Sequence, residues 1–190
     1  MLAQTGMEVA DAVGFHMSCD PRTGALLRTL AASKPGGRLL ELGTGVGVGT
    51  GWLLDGMDDQ AHLTSVEQDE ANHRLALDLY ADDPRVSLVH AEAGQWLAGH
   101  QGRSFDLVFV DCRPGKFEAR DQLLRHLAPG ALYLVDDLLP QPTWPDDHQS
   151  RVTPFLREIV KEQSLAVTVL HWSSGLAVAA YRGPGRTLTA

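Results

Sequence analysis

The stretch Leu-Leu-Glu-Leu-Gly-Thr-Gly-Val-Gly-Val-Gly-Thr, residues 39–50, decides the fold. It opens as an apolar strand interrupted only by Glu41 and then carries glycine at every second position. Glycine is needed where the backbone takes a positive φ or must lie against a ligand with no Cβ between them. In open α/β sheets a strand–loop–helix turn of this kind lies beyond the carboxyl ends of the strands, where ligands bind. The stretch therefore predicts a ligand-binding turn between a first strand and its following helix.

The spacing of these glycines argues against two common nucleotide sites. A P-loop requires GxxxxGK followed by Ser or Thr, and the chain contains no such motif. A dinucleotide loop requires GxGxxG, and in the registers that begin at Gly43, Gly45 or Gly47 the last position is not glycine. The motif that the chain does contain is GxGxG preceded by an acid. It indicates a ligand-binding loop of another kind, and the alternative interpretation is a tight turn with a purely structural role.

Short apolar runs alternate with amphipathic stretches along the rest of the chain, which predicts strands joined by helices. The predicted strands are Arg38–Leu42, Leu63–Glu67, Val86–His90, Phe105–Val110, Ala131–Val135, Leu165–Leu170 and Leu176–Tyr181. Several are continuously apolar, as expected where helices cover both faces of a mostly parallel sheet. The last two are separated by only five residues, too few for a crossover helix, so we expect an antiparallel hairpin there. A helix is expected after Ser150, with Thr153–Pro154 as its N-cap and first residue.

With this order of elements the chain resembles the class I S-adenosylmethionine-dependent methyltransferases. Its glycine stretch is similar to the LElGTGxGxxT form of the small-molecule O-methyltransferases of the catechol and caffeoyl-CoA type. The resemblance covers roughly residues 20–181 and implies an α/β fold: a Rossmann-like, doubly wound, mostly parallel seven-stranded sheet closed by the hairpin. We expect one domain over residues 1–190, to which residues 1–20 add a helix or a lid.

The resemblance implies methyl transfer from S-adenosylmethionine to oxygen on a small molecule. Two alternatives stay open: a methyltransferase acting on RNA, protein or a nitrogen acceptor, and a non-catalytic module that binds S-adenosylmethionine.

Acidic residues behind the glycine turn are the candidates for holding this cofactor. Glu67 ends the second strand, about 20 residues past the loop, where a carboxylate can accept hydrogen bonds from ribose hydroxyls. By resemblance, Glu92 and Ala93 would lie near the adenine, although Glu92 is equally explained as an acid in the first turn of a helix. The predicted cofactor-binding set is Glu41, Gly43, Thr44, Gly45, Gly47, Glu67, Gln68, Glu92, Ala93 and Asp111.

Three aspartates follow two neighbouring strands and are the predicted catalytic residues. Asp111 ends the fourth strand, and Asp136 and Asp137 end the fifth. Buried carboxylates are costly unless they meet a cation or several hydrogen-bond donors. By resemblance they stand at the magnesium or calcium site of catechol O-methyltransferase, which uses two Asp and one Asn, with Asp137 at the Asn position. His148 is a further candidate base for the acceptor's proton.

The segment after Asp111 departs from that family's pattern and leaves the metal site open. The family has Lys three residues after the Asp, where this chain has Pro114, and Lys116 comes two residues late. Carboxylates without a metal repel one another and can stay protonated. Arg113 or Lys116 is the alternative source of positive charge.

The composition favours a small-molecule acceptor over nucleic acid. The 190-residue chain has a net charge of −8 and no basic stripe, whereas proteins that hold many phosphates carry one. No apolar run approaches the roughly 18 residues of a membrane span. Residues 1–11 contain no Lys or Arg, and Cys19 and Cys112 are the two cysteines, so we expect a cytoplasmic protein without disulfides. A homodimer is the assembly expected if the protein is not a monomer.

Overall fold

The computed structural model describes residues 1–142 and 144–183. In this part of the chain the elements are α1 (Leu2–Val13), α2 (Pro21–Ala32), β1 (Arg38–Leu42), α3 (Val48–Gly56), β2 (His62–Glu67), α4 (Glu70–Tyr80), β3 (Val86–His90), α5 (Ala93–Gly99), β4 (Phe105–Val110), α6 (Arg120–Arg125), β5 (Leu127–Val135), α7 (His148–Ile159), β6 (Leu165–Leu170) and β7 (Leu176–Tyr181).

The strands form one seven-stranded sheet in the order β3-β2-β1-β4-β5-β7-β6. The first five strands in this order are parallel, and β7 pairs antiparallel with both β5 and β6. The predicted α/β, mostly parallel, doubly wound fold with a C-terminal hairpin is therefore confirmed. Among the described residues no helix combines the length and the apolar character needed to cross a bilayer.

The order of the strands reverses between β1 and β4, and this reversal positions the site. The chain winds outward from β1 through β2 to β3, and β4 then returns to the other side of β1. Leu42 at the end of β1 lies opposite Val66 of β2 and Val110 of β4. The residues that follow these three positions therefore meet at one edge of the sheet, the edge where ligands bind in open α/β sheets.

Apolar clusters on the two faces of the sheet hold it between the helices. Leu40 and Leu42 face one cluster together with side chains of α6 and α7. Leu39 faces the other together with side chains of α1, α2 and α3. The period-two alternation of β1 thus divides its side chains between two buried faces.

Three predicted boundaries were wrong, and the smallest difference is that β2 begins at His62 rather than Leu63. β5 begins at Leu127 rather than Ala131, because its pairing with β4 continues past a register shift between Phe105 and Leu107. α7 begins at His148, so Thr153 is not its N-cap and Pro154 lies inside the helix. A proline there removes one backbone hydrogen bond. The burial of the helix's apolar face against the sheet outweighs that loss.

The N-terminal residues form a helix, as one of the two expectations for residues 1–20 had it. The backbone N–H groups of Leu2 and Ala3 donate to the carboxylate of Asp55 at 2.9 and 3.0 Å, which ties α1 to α3. Gly14, with a φ of 67°, ends the helix. α2 was not predicted, although Asp20 caps it and Pro21 is its first residue, a recognisable start signal.

Candidate ligand-binding site

The glycine turn takes the backbone angles that its sequence predicts. Gly43, Gly45 and Gly47 have φ values of 93°, 54° and 97°. A Cβ at Gly43 would lie 2.7 Å from the carbonyl oxygen of Asp111, and one at Gly45 would lie 3.1 Å from the ring of Phe15. Both the backbone angles and the close approach therefore require glycine in this turn.

A cavity of about 530 Å³ lies over the turn at the carboxyl ends of β1, β2 and β4. This volume falls within the roughly 300–1,000 Å³ that is usual for small-molecule sites. The predicted cofactor residues that line it are Glu41, Gly43, Thr44, Gly45, Glu67, Gln68, Glu92, Ala93 and Asp111. Gly47 does not line it; a Cβ there would meet the ring of Tyr80 at 2.7 Å, so its glycine serves the packing of α4 against the turn.

Glu41 is a buried carboxylate with one oxygen unpaired. Its side chain is 0% exposed, and its Oε2 accepts hydrogen bonds from the hydroxyls of Thr50 and Ser65, the latter at 2.5 Å. Its Oε1 has no partner among the described residues. Burial raises the pKa of Glu41 to about 7, against the lowering effect of the two hydroxyl donors. The oxygen is left without a partner beside a cavity that its own side chain lines, where a donor or a cation would satisfy it.

Glu67 and Glu92 are held by backbone donors. The Oε2 of Glu67 accepts from the N–H of Gly45 at 2.8 Å, and its Oε1 accepts from the N–H of Asp69 at 2.8 Å. Glu92 is the N-cap of α5 and accepts from the N–H groups of its first turn at 2.9 and 2.7 Å. Both carboxylates also line the cavity, where their remaining lone pairs can accept hydrogen bonds.

A second cavity, of about 430 Å³, adjoins the first. Residues 17–19 and Asp111 line both cavities and therefore lie between them. Asp136, Asp137 and His148 line only the second. All three predicted catalytic aspartates therefore lie around one space next to the predicted cofactor cavity.

Burial and mutual repulsion dominate the electrostatics of the three aspartates. Burial raises the pKa of Asp111 well above its usual range, and the neighbouring Asp137 and Asp136 raise it further. Burial and Asp137 raise the pKa of Asp136 to about 6. The Oδ1 of Asp136 accepts from the N–H of Asp137 at 2.8 Å and from the Ser174 hydroxyl.

His148 lies against the same group. Its Nε2–H donates to the carbonyl oxygen of Asp137 at 3.0 Å, and its ring centroid lies 4.0 Å from that of Trp144, with the two rings tilted by 34°. Burial lowers the pKa of His148, so its imidazole is neutral near pH 7.

Lys116 reaches the backbone at the end of β5 although it comes two residues late in the sequence. Its side chain is 2% exposed, and its Nζ donates to the carbonyl oxygen of Asp136 at 2.9 Å. Arg113, the alternative cation, instead pairs with Asp147 near the surface.

The residues present do not fit the predicted three-carboxylate metal site. Within residues 1–142 and 144–183, no three His, Cys, Asp or Glu side chains are arranged to hold a metal ion. Two donors engage Oδ1 of Asp136, and the Lys116 ammonium lies nearby, against the carbonyl oxygen of the same residue. No step of the chemistry below is therefore assigned to a metal.

Several lining residues were not among the predicted site residues. Phe15, Met17, Ser18 and Cys19 come from the segment between α1 and α2, and Asn72 comes from the first turn of α4. The position of residues 15–19 over the strand ends depends on how α1 docks, which no local pattern shows. Asn72 is three residues after the N-cap Asp69, so the helix start could have identified it.

Comparisons with known proteins place this geometry in a family context. A family model described as a methyltransferase domain matches residues 40–138. A curated protein of Mycolicibacterium smegmatis, named as an inferred O-methyltransferase, is 35% identical over 111 residues, covering 56% of this chain and 52% of that protein. A similarly named protein of Mycobacterium avium is 34% identical over 122 residues, covering 60% and 54%. The chain spans about half the length of the curated relatives it matches.

Solved structures share the fold over nearly the whole chain. The O-methyltransferase TomG from Streptomyces achromogenes, solved with SAM, matches with a TM-score of 0.82 and 22% identity, covering 96% of this chain and 90% of that one. The O-methyltransferase from Bacillus cereus, solved with SAH, matches with a TM-score of 0.79 and 20% identity, covering 95% and 90%. At these identities the likeness shows a common architecture.

Proposed function

The chain belongs to the methyltransferase domain family, and from this premise we propose that it transfers the methyl group of S-adenosylmethionine to an oxygen atom of a small molecule. The observation that carries the proposal is the cavity at the strand reversal, where the glycine turn, Glu67 and the unpartnered oxygen of Glu41 lie around one space.

The charge of the cavity supports a cationic ligand over a phosphate-bearing one. Six carboxylates line it, and one guanidinium, that of Arg113: the carboxylates belong to Glu41, Glu67, Asp69, Glu92, Asp111 and Glu118. A nucleotide polyphosphate would be repelled here, because like charges in a partly desolvated space cost several kcal/mol. S-adenosylmethionine carries a sulfonium, an ammonium and a carboxylate group and has no phosphate, so its net positive charge complements the lining.

The roles of the residues follow from their contacts. The Gly45 N–H holds the Glu67 carboxylate in place, and we assign the ribose hydroxyls to the free lone pairs of Glu67. The unpaired Glu41 oxygen would stabilise positive charge on the ligand. Bound S-adenosylmethionine supplies an electrophilic methyl group; the chain's task is to hold the acceptor in line with it and to exclude water.

We place the acceptor in the second cavity, against Asp136 and Asp137. Asp111 lies on the boundary of the two cavities and would orient the reacting groups. The Ser174 hydroxyl and a backbone N–H hold Asp136 in one orientation, as a positioned base requires. A cavity of about 430 Å³ rich in carboxylates favours a small neutral or cationic acceptor over RNA.

Calorimetry tests the binding part of this proposal. The wild type should give a saturable heat with S-adenosylmethionine and with S-adenosylhomocysteine. Glu67→Ala should weaken binding by roughly 10- to 100-fold, the usual worth of hydrogen bonds to a charged group. Glu70→Gln is the control, because Glu70 is exposed and pairs only with Arg74 on α4. The proposal fails if folded wild-type protein shows no heat with either compound.

Isotope-labelled methyl transfer tests the acceptor part. Products formed from hydroxyl-bearing small molecules would support the proposal. Label that appears only in RNA, in protein or on nitrogen, or bound cofactor with no transfer to any acceptor, would favour the alternatives.

We also propose that the chain is one domain, acts in the cytoplasm and forms a homodimer. Both cysteines are free, in keeping with a reducing compartment. Sedimentation velocity tests the dimer, and limited proteolysis tests the single domain.

A further inference from the structure

We propose that Lys116, in place of a divalent cation, balances the charge of the three strand-end aspartates, so that the site works without a metal. The consequence for methyl transfer rests on the proposed function. The charge balance itself does not, and it can be measured without any methyl donor.

The position of the ammonium group is the first support. Lys116 is 2% exposed, its Nζ lies 2.9 Å from the carbonyl oxygen of Asp136, and it lies 5.3 Å from the centre of the Phe117 ring. A lysine is almost never buried to this degree unless it is paired with opposite charge. Its hydrogen bond goes to a backbone carbonyl oxygen, and its charge lowers the pKa of Asp111 and of Asp136, so the ammonium acts on the cluster through space as an internal counter-cation.

A tight turn explains how a lysine two residues late reaches this place. The N–H of Gly115 donates to the carbonyl oxygen of Glu118 at 2.7 Å, and the Tyr133 hydroxyl donates to the Gly115 carbonyl oxygen. Gly115 has a φ of 84°, and a Cβ there would lie 2.9 Å from a methyl group of Leu42. Residues 113–118 therefore curl back on β1 and β5, and the curl directs Lys116 towards the end of β5.

With Lys116 in place, the aspartates form no ready-made metal site. Two donors occupy Oδ1 of Asp136, and in the described part of the chain no three carboxylate or imidazole groups converge on one point. Asp137 has a φ of 62°, a left-handed conformation that Asp and Asn accept best, so its backbone explains its residue type. A divalent ion placed beside a buried ammonium would in addition meet strong repulsion.

For the reaction this means that protein groups alone orient the acceptor and receive its proton. A metal would act as a Lewis acid and as a template for the acceptor's oxygens. Without one, these tasks pass to the side chains that line the second cavity. Lys116 acts through the aspartates and is a positioning residue.

The first arm of the test titrates Mg²⁺, Ca²⁺ and Mn²⁺ into chelator-treated wild-type protein. We expect no saturable heat, and a Tm that changes by less than about 1 °C between EDTA and millimolar MgCl₂ or CaCl₂, because a ligand that does not bind cannot shift the unfolding equilibrium. Saturable binding that Asp111→Asn abolishes would overturn the proposal. The binding measurement itself uses wild-type protein, and Asp111→Asn serves to assign any observed binding to this site.

The second arm compares Lys116→Met with Lys34→Met. Lys34 also donates to a backbone carbonyl oxygen, that of Gly130 at 3.2 Å, but it is not buried and lies away from the aspartates. Lys116→Met should lower Tm by about 10 °C, as expected when one partner of a buried charge cluster is removed. Mg²⁺ or Ca²⁺ should restore several degrees of Tm to Lys116→Met and none to Lys34→Met.

The cation-dependent recovery separates charge balance from mere packing. A lysine that only filled space would leave a destabilised protein that ignores divalent cations, and this result would overturn the proposal. A Lys116→Met protein as stable as Lys34→Met would do the same. Neither outcome depends on S-adenosylmethionine calorimetry, so failure of the proposed function stays distinguishable.

Discussion

Replacing Glu41 with Gln should remove a pH-dependent loss of stability that its burial causes. The Glu41 side chain is 0% exposed and one of its oxygens has no partner among the described residues, so its charged form is costly in the folded state. Gln has nearly the same shape and keeps an oxygen that can accept from the hydroxyls of Thr50 and Ser65.

The magnitude follows from the pKa of the buried group. Folding raises the pKa of Glu41 from 4.5 to about 7, chiefly through burial. Between these two values the folded state binds more protons than the unfolded state, so stability falls as pH rises. Its contribution is fully present below about pH 4.5 and is lost as pH rises through about 7. The loss amounts to about 3 kcal/mol, at 1.36 kcal/mol for each tenfold change.

Urea denaturation at pH 5 and pH 8 measures this loss. The stability difference between the two pH values should be larger in wild type than in Glu41→Gln by roughly 2–3 kcal/mol. This is less than the full loss, because part of the loss already occurs below pH 5. Glu8→Gln is the control, since Glu8 is exposed on α1 and should leave the difference unchanged. If wild type and Glu41→Gln lose the same stability between pH 5 and pH 8, the reasoning from burial is wrong.

Three further substitutions separate ligand contact from packing. Gly45→Val should lower S-adenosylmethionine affinity more than about tenfold in calorimetry, because its branched side chain would enter the space next to Phe15; unchanged affinity would contradict the proposed role of the turn. Gly47→Ala should cost about 2–4 kcal/mol in urea denaturation, since its Cβ would meet Tyr80 at a φ of 97°; a neutral effect would show that this packing yields. Asp55→Ala should cost about 1–2 kcal/mol and increase hydrogen exchange in α1, which loses its two N-terminal acceptors; exchange confined to other helices would refute this.

Local patterns identified the seven predicted strands, five of them with the observed bounds, and the glycine turn. The run Phe105–Val110 and the pair of runs that make the hairpin were predicted with the bounds that the structure has. Continuous apolar side chains can be buried only between two covered faces, and alternating glycines permit positive φ, so both features are readable residue by residue. The start of α7 was not readable, because burial against the sheet outweighed the local signal of Pro154.

The site residues that could be predicted are those located directly at the ends of strands. Glu67 and Asp111 each follow a buried run, and parallel strands bring such positions to one edge. Whether the three aspartates bind a metal stays a prediction, because the sequence does not show how their carboxylates are oriented and hydrogen-bonded. The contribution of residues 15–19 was missed for a similar reason, since it depends on how α1 packs.

The sequence by itself determined the strand pattern, the glycine turn and the acidic character of the strand ends, because these depend on each residue's own polarity and backbone freedom. Only the tertiary structure decided that buried Lys116 donates to the backbone of Asp136, that Glu41 keeps an oxygen without a partner among the described residues and that Gly47 faces Tyr80. These outcomes depend on contacts between residues far apart in the chain. Such contacts are set by how the helices and strands pack around the two cores, which no local window of sequence contains.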